Sequence, residues 1–506
     1  MFKKLISLMS FMMILLSSFG TCYADVVGFN GGVNNEYEYK EVVFLSGEPV
    51  TFVGEYSYKV KGKGTQKKVS YKFDLKDINN KENTLSRKID YTVDYDIRED
   101  KGQTIANLVL DKYSESVEID GVEYDLEDYQ LSKSDVVDNR PASDYMSGNT
   151  KARKYYLINK DQGKVIVEVS GGEVGYSNFW GNTQTKLMNY VISSSRSEVG
   201  KDDNNDADEY NWNGTVEIQT SATMNKQIKY SNNDANYTSF DGGNVKVENS
   251  EVVSSYTYDL PDMSTDGTAD NNDRQNGNIK ISSNMVPKLQ RLIVPKFKDI
   301  KGHWGQKYVE KLYSLDIFDE RGEHFDPDIP MLRMEYTKAI MRACDIRVKA
   351  NLGDSFTNFP VNNSNITKDE KMLFYDVDTN SEDFAFIEKG LEKGLIKGID
   401  KRNFGADDKL TRAQAITIMI RGLGFENKAP NPGYKTNFSD DYTIPSWAKD
   451  AIYVAKEIGL VEGDSSNKIH ANQILTRAEA SKLLVRFMEF LEKDLKKDYR
   501  ENIIYF

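Results

Sequence analysis

A sequence pattern that occurs three times in the last part of the chain constrains its fold most. Each copy opens on Phe-x-Asp and closes on an arginine that follows Leu or Thr, and a second arginine stands nine residues after the closing one. The openings lie at Phe297, Phe374 and Phe438, and the closing arginines are Arg333, Arg412 and Arg477. Because all three copies match at fixed offsets, the pattern predicts an internal repeat in this 506-residue chain.

The closing segment of each repeat has the signature of a helix start. Thr411 stands three residues before Gln414, and Thr476 three residues before Glu479, which is the spacing of a capping box. In the first repeat, apolar residues follow at helical spacing: Tyr336, Ala339, Ile340 and Ala343. We therefore expect each repeat to contain a helix that buries one face.

These repeats resemble a known family of domains. The Phe-x-Asp openings, the His303-Trp304 pair, the turn from Gly394 to Gly398 and the Thr-Arg-Ala-Glu/Gln endings are similar to those of S-layer homology domains. The resemblance covers roughly residues 295 to 490 and does not extend to the N-terminal part. It implies a mainly helical, pseudo-threefold unit whose grooves between repeats hold secondary cell-wall polysaccharide, often pyruvylated, in Gram-positive bacteria. Such a unit would be a non-covalent anchor in the wall.

The candidate polysaccharide-binding residues combine charged, aromatic and small side chains. They are Arg333, Arg412, Arg477, Asp299, Asp376, Asp440, Trp304, Trp447, Gly398 and Gly463. The arginine belongs to the ligand groove in the family, and its planar guanidinium can hold a carboxylate in bidentate fashion. An ion pair between repeats is the structural alternative. The tryptophans can stack on sugar or pack in a core, and the aspartates can accept hydrogen bonds from sugar hydroxyls or cap a turn.

The first repeat departs from the pattern of the other two. Leu332 replaces the capping threonine, and Asp316 and Glu320 stand where the other repeats have glycine. Additional acidic residues would repel an anionic ligand. We therefore expect the first repeat to contribute least to such a groove.

The second repeat departs at the tryptophan position. An ungapped alignment places Glu382 there, with Phe384 and Phe386 nearby as substitutes. Arg412 and Arg477 are accordingly the site residues that the sequence supports best.

The N-terminal part has the alternation of half-buried strands. Ile89, Tyr91, Val93, Tyr95 and Ile97 keep a period of two, and glycine-rich turn clusters separate several such runs. The pattern predicts a mainly β, antiparallel region, with a sandwich as one form. Whether it is one domain or two, divided by the polar run 201–213, stays open.

Composition limits the chemistry of this N-terminal part. All three histidines lie beyond residue 300, and the one cysteine beyond the export signal is Cys344, so neither Ser-His-Asp nor Cys-His catalysis nor a histidine-based metal site is expected there. We expect no catalytic residues, no metal and no cofactor. We expect this part to have a structural or adhesive role, and self-assembly is one form of it. A glycoside hydrolase with paired carboxylates is the alternative.

Three weaker sequence features concern ligands and partners. The formal net charge of −13 disfavours nucleic acid as a partner. Asp202, Asn204 and Asp206 have the spacing of a calcium loop, but the turn glycine and closing glutamate are missing, which favours a solvated loop. Trp180 and Trp212 could form a sugar-stacking platform, but such residues are more often core.

The sequence also predicts how the chain is divided. Residues 1–24 resemble an export signal rather than a transmembrane anchor, and the polar stretch 261–294 has the composition of a linker. The expected organisation is signal peptide 1–24, β-rich region 25–260, linker 261–294, repeats 295–350, 374–428 and 438–490, an insertion at 351–373 and a tail at 491–506. Together these features predict a secreted protein of the cell-wall surface.

Overall fold

The computed structural model describes residues 38–62, 64–198, 208–231, 243–263, 269–318, 322–348, 374–378 and 380–495. Five features named above lie wholly or largely outside the described residues: the signal segment 1–24, the calcium-like loop with Asp202, Asn204 and Asp206, Glu320, the insertion 351–373, and the tail 491–506 beyond residue 495.

The N-terminal part is one antiparallel sheet in which consecutive strands are neighbours from β1 to β12, so the prediction of an antiparallel β region is confirmed. The final strand, β13, pairs with β11 beside β12. The strands are β1 (Glu38–Val43), β2 (Val50–Lys61), β3 (Gln66–Asp77), β4 (Thr84–Arg98), β5 (Gln103–Ile119), β6 (Val122–Asn139), β7 (Asp144–Ile158), β8 (Gly163–Asn178), β9 (Gly181–Glu198), β10 (Asp208–Ser231), β11 (Gly243–Met263), β12 (Ala269–Asn284) and β13 (Lys288–Arg291).

The sheet curls around its own core, because buried side chains from its first and last strands share one apolar cluster. Tyr39 of β1, Tyr91 of β4 and Tyr256 of β11 belong to that cluster together with Trp212 of β10. Trp212 and Trp180 are both buried, so the core reading of these two tryptophans holds.

A buried ionic network crosses the interior of the sheet. Arg87 on β4 donates to Glu41 on β1 at 2.8 and 2.9 Å and to Glu115 on β5 at 2.8 and 3.0 Å. Lys154 and Tyr156 on β7 add hydrogen bonds of 2.8 and 2.9 Å to Glu115. Since β1 and β4 are not neighbours, their direct ion pair also shows how strongly the sheet is curved.

The predicted linker 261–294 is wrong for the residues that the structure describes. The segment from Ala269 to Asn284 is strand β12, whose backbone pairs with β11 from Glu251 to Met263. Backbone hydrogen bonds to β11 hold this segment in the sheet, and such bonds need no apolar side chains. The side chains described on β12 are exposed or half-buried because the strand lies at the end of the sheet, and this explains its linker-like composition.

The C-terminal part is helical. Its α-helices are α1 (Gln306–Ser314), α2 (Arg333–Ala343), α3 (Glu382–Glu392), α4 (Arg412–Leu423), α5 (Ser446–Glu457) and α6 (Arg477–Glu489). Helices α4 and α6 begin with the predicted capping boxes: the Thr411 and Thr476 hydroxyls accept hydrogen bonds from Gln414 N and Glu479 N. The helices α4 and α6 therefore begin where the sequence predicts.

The three repeats meet in a closed ring of backbone hydrogen bonds. Met331 N donates to Leu475 O at 3.0 Å, Leu475 N to Leu410 O at 2.9 Å, and Leu410 N to Met331 O at 2.9 Å. All three residues are buried and each stands two residues before a closing arginine. The ring places the starts of α2, α4 and α6 in the same position relative to the next repeat.

The sheet is docked on the helical part. Ala142 N donates to Gly422 O at 2.9 Å, and the Asn178 amide donates to Leu491 O at 3.3 Å. Trp180 and Tyr176 are buried within the apolar cluster of the helices. The two hydrogen bonds lie at the C-terminal end of α4 and just beyond that of α6, at the opposite ends of these helices from Arg412 and Arg477.

No helix among the described residues combines the length and the apolar character that crossing a bilayer requires.

Candidate functional site

The closing arginine of each repeat lies against the following repeat, with the third repeat followed by the first. The backbone amides of the three arginines donate to carbonyls of that following repeat, at 2.9 Å in each case: Arg333 to Asp408, Arg412 to Gln473 and Arg477 to Ile329. We call the three contact regions the first groove (Arg333, repeats one and two), the second groove (Arg412, repeats two and three) and the third groove (Arg477, repeats three and one).

In the first groove the arginine is already bound. Arg333 Nε donates to Phe404 O at 3.0 Å and its Nη2 to Lys397 O at 2.7 Å, while the guanidinium lies over the Phe404 ring. Burial lowers the pKa of Arg333, and the nearby Arg421 acts in the same direction. The side chain therefore joins two repeats, as in the structural alternative.

In the third groove the arginine is held by an ion pair. Arg477 Nη1 donates to Glu335 Oε1 at 2.9 Å, and its guanidinium stacks on Phe325 with 4.6 Å to the ring centroid. Only 8% of the Arg477 side chain is exposed. A ligand carboxylate would have to share this guanidinium with Glu335.

In the second groove the arginine keeps donors free. The nearest carboxylate oxygen, Glu479 Oε1, lies 3.9 Å from Arg412 Nη2, which is beyond hydrogen-bond distance. Arg412 Nε is buried and has no hydrogen-bond partner among the described residues, whereas 22% of the side chain as a whole is exposed. Burial lowers the pKa of Arg412 while Glu479 opposes that shift. Arg412 is thus the closing arginine best able to take a new acceptor.

The helix starts themselves offer little to an anion. At the start of α4, the amide of Ala413 donates to Ala471 O at 2.8 Å and that of Gln414 to the Thr411 hydroxyl at 3.3 Å. The Arg412 amide is also bonded, as described above. Recognition of a carboxylate there would consequently depend on the guanidinium.

The three predicted aspartates bind backbone amides in the same way. Each carboxylate accepts hydrogen bonds from two consecutive amides: Asp299 from Phe325 and Asp326, Asp376 from Phe404 and Gly405, and Asp440 from Ile469 and His470. The pKa of Asp299 is lowered, because these amide bonds outweigh the opposing effect of burial. The geometry favours the turn-capping interpretation.

The two predicted tryptophans lie on the surface, in or just before helices that pack against α4 and α6. Trp447 is 56% exposed and stands in the first turn of α5, which packs against α4. Trp304 is 52% exposed, and the next residue, Gly305, approaches Ala478 at the start of α6. These positions suit stacking on a sugar ring better than a core role.

The first groove has Glu382 at the tryptophan position, in the first turn of α3. The aromatic residues that the sequence suggested as substitutes pack inward: Phe386 is buried and Phe384 packs against the helical core. Only the second and third grooves therefore combine an arginine with an exposed tryptophan.

The predicted glycines shape turns by allowing close backbone approach. A Cβ on Gly398 would lie 2.4 Å from Asp400 O, and one on Gly463 would lie 2.8 Å from Asn467. The carbonyl that receives Arg333 belongs to Lys397, the residue before Gly398. In repeat one, Asp316 takes a left-handed φ of 54°. Asp316 thus serves as a turn residue despite its Cβ.

Sequence reasoning missed the second role of the capping glutamates. The sequence predicts a capping role for Glu479 and no role for Glu335, yet each faces the closing arginine of the preceding repeat. Arg477 and Glu335 are 142 residues apart, so no local spacing reveals the contact. Only the order of repeats around the ring could have indicated it.

Comparison with known protein families identifies the repeats. The model for the S-layer homology domain matches residues 296–337, 373–416 and 437–481. The C-terminal part of this chain therefore carries three S-layer homology domains, as the sequence patterns indicated.

Individual relatives share part of the chain. The exoglucanase XynX of Acetivibrio thermocellus is 27% identical over 42% of this chain and 18% of its own length. The amylopullulanase of Thermoanaerobacterium thermosulfurigenes is 28% identical over 38% of this chain and 9% of its own. The surface-layer 125 kDa protein of Lysinibacillus sphaericus is 25% identical over 43% of this chain and 17% of its own length.

The chain thus spans less than a fifth of the length of each of these relatives. Together with the S-layer homology domains, the surface-layer and cell-surface relatives identify a secreted protein located on the cell-wall surface.

Proposed function

We propose that this secreted cell-wall protein is held non-covalently by its S-layer homology domains, which bind an acidic secondary cell-wall polysaccharide, and that the second groove is the main binding site. The observation that carries the proposal is the state of Arg412. Its side chain is 22% exposed, and its nearest carboxylate oxygen, on Glu479, lies 3.9 Å away, beyond hydrogen-bond distance.

The chemistry of the second groove fits an acidic sugar. A guanidinium recognises a carboxylate through two parallel hydrogen bonds, and the donors of Arg412 have that capacity available. Trp447 adds an exposed aromatic face on which a pyranose ring can stack. A pyruvyl ketal would supply both features of the ligand at once, a carboxylate and an adjoining sugar ring.

The third groove is a weaker second site on the same grounds. Trp304 is exposed as Trp447 is, but Arg477 is already paired with Glu335. In the first groove Arg333 binds two carbonyls and Glu382 takes the tryptophan position. Two unequal grooves on one chain would still strengthen attachment to a polymer, since the second contact forms at high effective concentration.

The test is co-sedimentation of the full chain with Gram-positive sacculi before and after chemical removal of their secondary polysaccharide. We expect wild-type protein to pellet only with unstripped sacculi, and Arg412→Ala to weaken this binding about tenfold or more, as loss of a charge-assisted contact implies. Arg421→Ala is the matched control, because it removes the same charge near the other end of α4, where Arg421 binds Glu426. Equal binding to stripped sacculi would contradict the proposal.

The N-terminal sheet is the displayed part in this proposal, with a structural or adhesive role. The hydrolase alternative draws on relatives named as an exoglucanase and an amylopullulanase. Glu41 and Glu115, buried carboxylates in the sheet, are engaged with Arg87, which offers no support for that alternative. Hydrolysis of cellulose or pullulan by the purified chain would overturn the preference.

A further inference from the structure

The capping glutamate of α6, Glu479, has neighbours in two different repeats. Glu479 Oε2 accepts a hydrogen bond from Thr476 N at 3.0 Å and completes the capping box. Its other oxygen, Oε1, accepts from the Gln473 amide at 3.2 Å and lies 3.9 Å from Arg412 Nη2. One carboxylate thus both caps a helix and places a negative charge beside the arginine of the second groove.

The equivalent positions in the other repeats differ in a useful way. In repeat one, Glu335 caps α2 through Leu332 N at 3.1 Å and binds Arg477 directly at 2.9 Å. In repeat two the capping residue is Gln414, whose side-chain oxygen accepts from Thr411 N at 2.9 Å. The chain itself therefore shows that a neutral glutamine at this position preserves the cap.

We propose that Glu479 is a specificity-determining residue of the second groove, which sets how strongly the groove prefers acidic over neutral polymer. The inference rests on the proposed function and deepens it. Glu479 partly neutralises Arg412 without forming a hydrogen bond to it, so an acidic ligand competes with Glu479 for the guanidinium. A neutral ligand meets no such competition.

Removing this charge should tighten binding to acidic polymer alone. In Glu479→Gln the capping box remains, as Gln414 demonstrates, while the competing carboxylate is lost. The ion pair is partly exposed, with 22% and 26% of the two side chains accessible, which limits its strength. We expect affinity for an acidic polymer to rise about two- to fivefold.

The experiment uses the full chain and two matched probes. The first probe is acidic polysaccharide released from Gram-positive sacculi, and the second is the same material with its carboxyl groups reduced to alcohols. Dissociation constants are measured for wild type, Glu479→Gln and Arg412→Ala. The proposal expects Glu479→Gln to bind the acidic probe more tightly and the reduced probe as wild type does. A purely structural role for Glu479 would change both affinities together.

Two further variants separate groove chemistry from folding. Gln414→Glu adds a carboxylate at the equivalent place in repeat two, and we expect no change in affinity, since Arg333 is bound to carbonyls. Glu335→Gln removes the partner of the largely buried Arg477, and we expect a lower melting temperature.

The failures are distinguishable. If the wild-type protein does not bind the acidic probe, the proposed function is contradicted, and so is this inference. If wild type binds, Arg412→Ala weakens binding and Glu479→Gln leaves it unchanged or weaker, the inference alone is overturned.

Discussion

One arginine position has three different environments in this protein. Arg333 donates to two carbonyls, Arg477 binds a glutamate at 2.9 Å, and the nearest carboxylate oxygen to Arg412 lies 3.9 Å away. The sequence predicted all three arginines and ranked Arg333 lowest, but it could not separate Arg412 from Arg477. Their partners come from other repeats, so the difference depends on distances across the ring.

Trp447 provides a test of the sugar-stacking role. Trp447→Ala is expected to reduce affinity for the wall polysaccharide about two- to tenfold, because an aromatic stack contributes roughly 0.5–1.5 kcal/mol. Stability should change little, since the ring is 56% exposed. Binding isotherms and thermal unfolding measure the two effects. Phe386→Ala, at a buried position, is the control that should lower the melting temperature.

Asp440 provides the opposite case. Its carboxylate accepts hydrogen bonds from Ile469 N and His470 N at 2.9 and 2.8 Å, and the residue is buried. Asp440→Ala should therefore lower the free energy of unfolding by about 1–3 kcal/mol, because two amides lose their acceptor. Denaturant titration checks this value. A loss of polysaccharide affinity at unchanged stability would instead assign Asp440 to the ligand.

At the scale of elements, sequence periodicity predicted the strands and helices that bury one face. It missed the strand that is held in the sheet mainly by backbone pairing. Alternation around Tyr91 identified β4, and threonine capping identified the starts of α4 and α6. The composition of strand β12 is typical of a linker because the strand is mostly polar, and only Ile279 and Ile281 among its described residues pack against the core of the sheet. Backbone pairing between strands leaves no pattern in the sequence comparable to the periodicity of buried side chains.

The ionic network inside the sheet should make its stability depend on acid. Burial raises the pKa of Glu115, but the attraction of Arg87 and Lys154 prevails and the pKa is lowered. A carboxyl whose folded-state pKa lies below its unfolded value contributes stability above the unfolded pKa, which is lost as the pH falls. We therefore expect the free energy of unfolding to decrease below about pH 4.5.

Arg87→Met tests the same network at neutral pH. The substitution leaves Glu41 and Glu115 buried without their shared arginine, so we expect a loss of about 3–5 kcal/mol in the free energy of unfolding. Urea denaturation at pH 7 measures the loss. The exposed pair of Arg98 with Asp96 offers a control, since Arg98→Met should have little effect.

At the scale of the whole molecule, the sheet and the helices share a buried contact. Trp180, at the turn between β8 and β9, is buried in the helical cluster, and Asn244 of β11 binds the Ser314 hydroxyl at the end of α1 at 3.0 Å. These residues are far apart in sequence, and nothing in their local pattern distinguishes an interface from a core. The sequence therefore predicted the sheet and the helical part but not the buried contact between them.

Trp180→Ala should uncouple the two parts. Loss of this buried ring is expected to lower stability by about 3–5 kcal/mol and to separate thermal unfolding into two transitions in calorimetry. Trp212→Ala is the matched control, because Trp212 is buried in the core of the sheet and its loss should weaken the sheet alone. A single transition in the Trp180 variant would show that other contacts are sufficient for coupling.

The docking of the sheet on the C-terminal ends of the helices has a mechanical consequence. The second groove lies at the start of α4 and the sheet at its end, so the 12-residue helix separates them by about 18 Å. Between β13 and α1 the chain buries Phe297 and Ile300 in the helical cluster. If the second groove binds the wall as proposed, a force applied to the sheet is carried to the wall through packed helices, and the fold sets the tilt of the sheet above the wall.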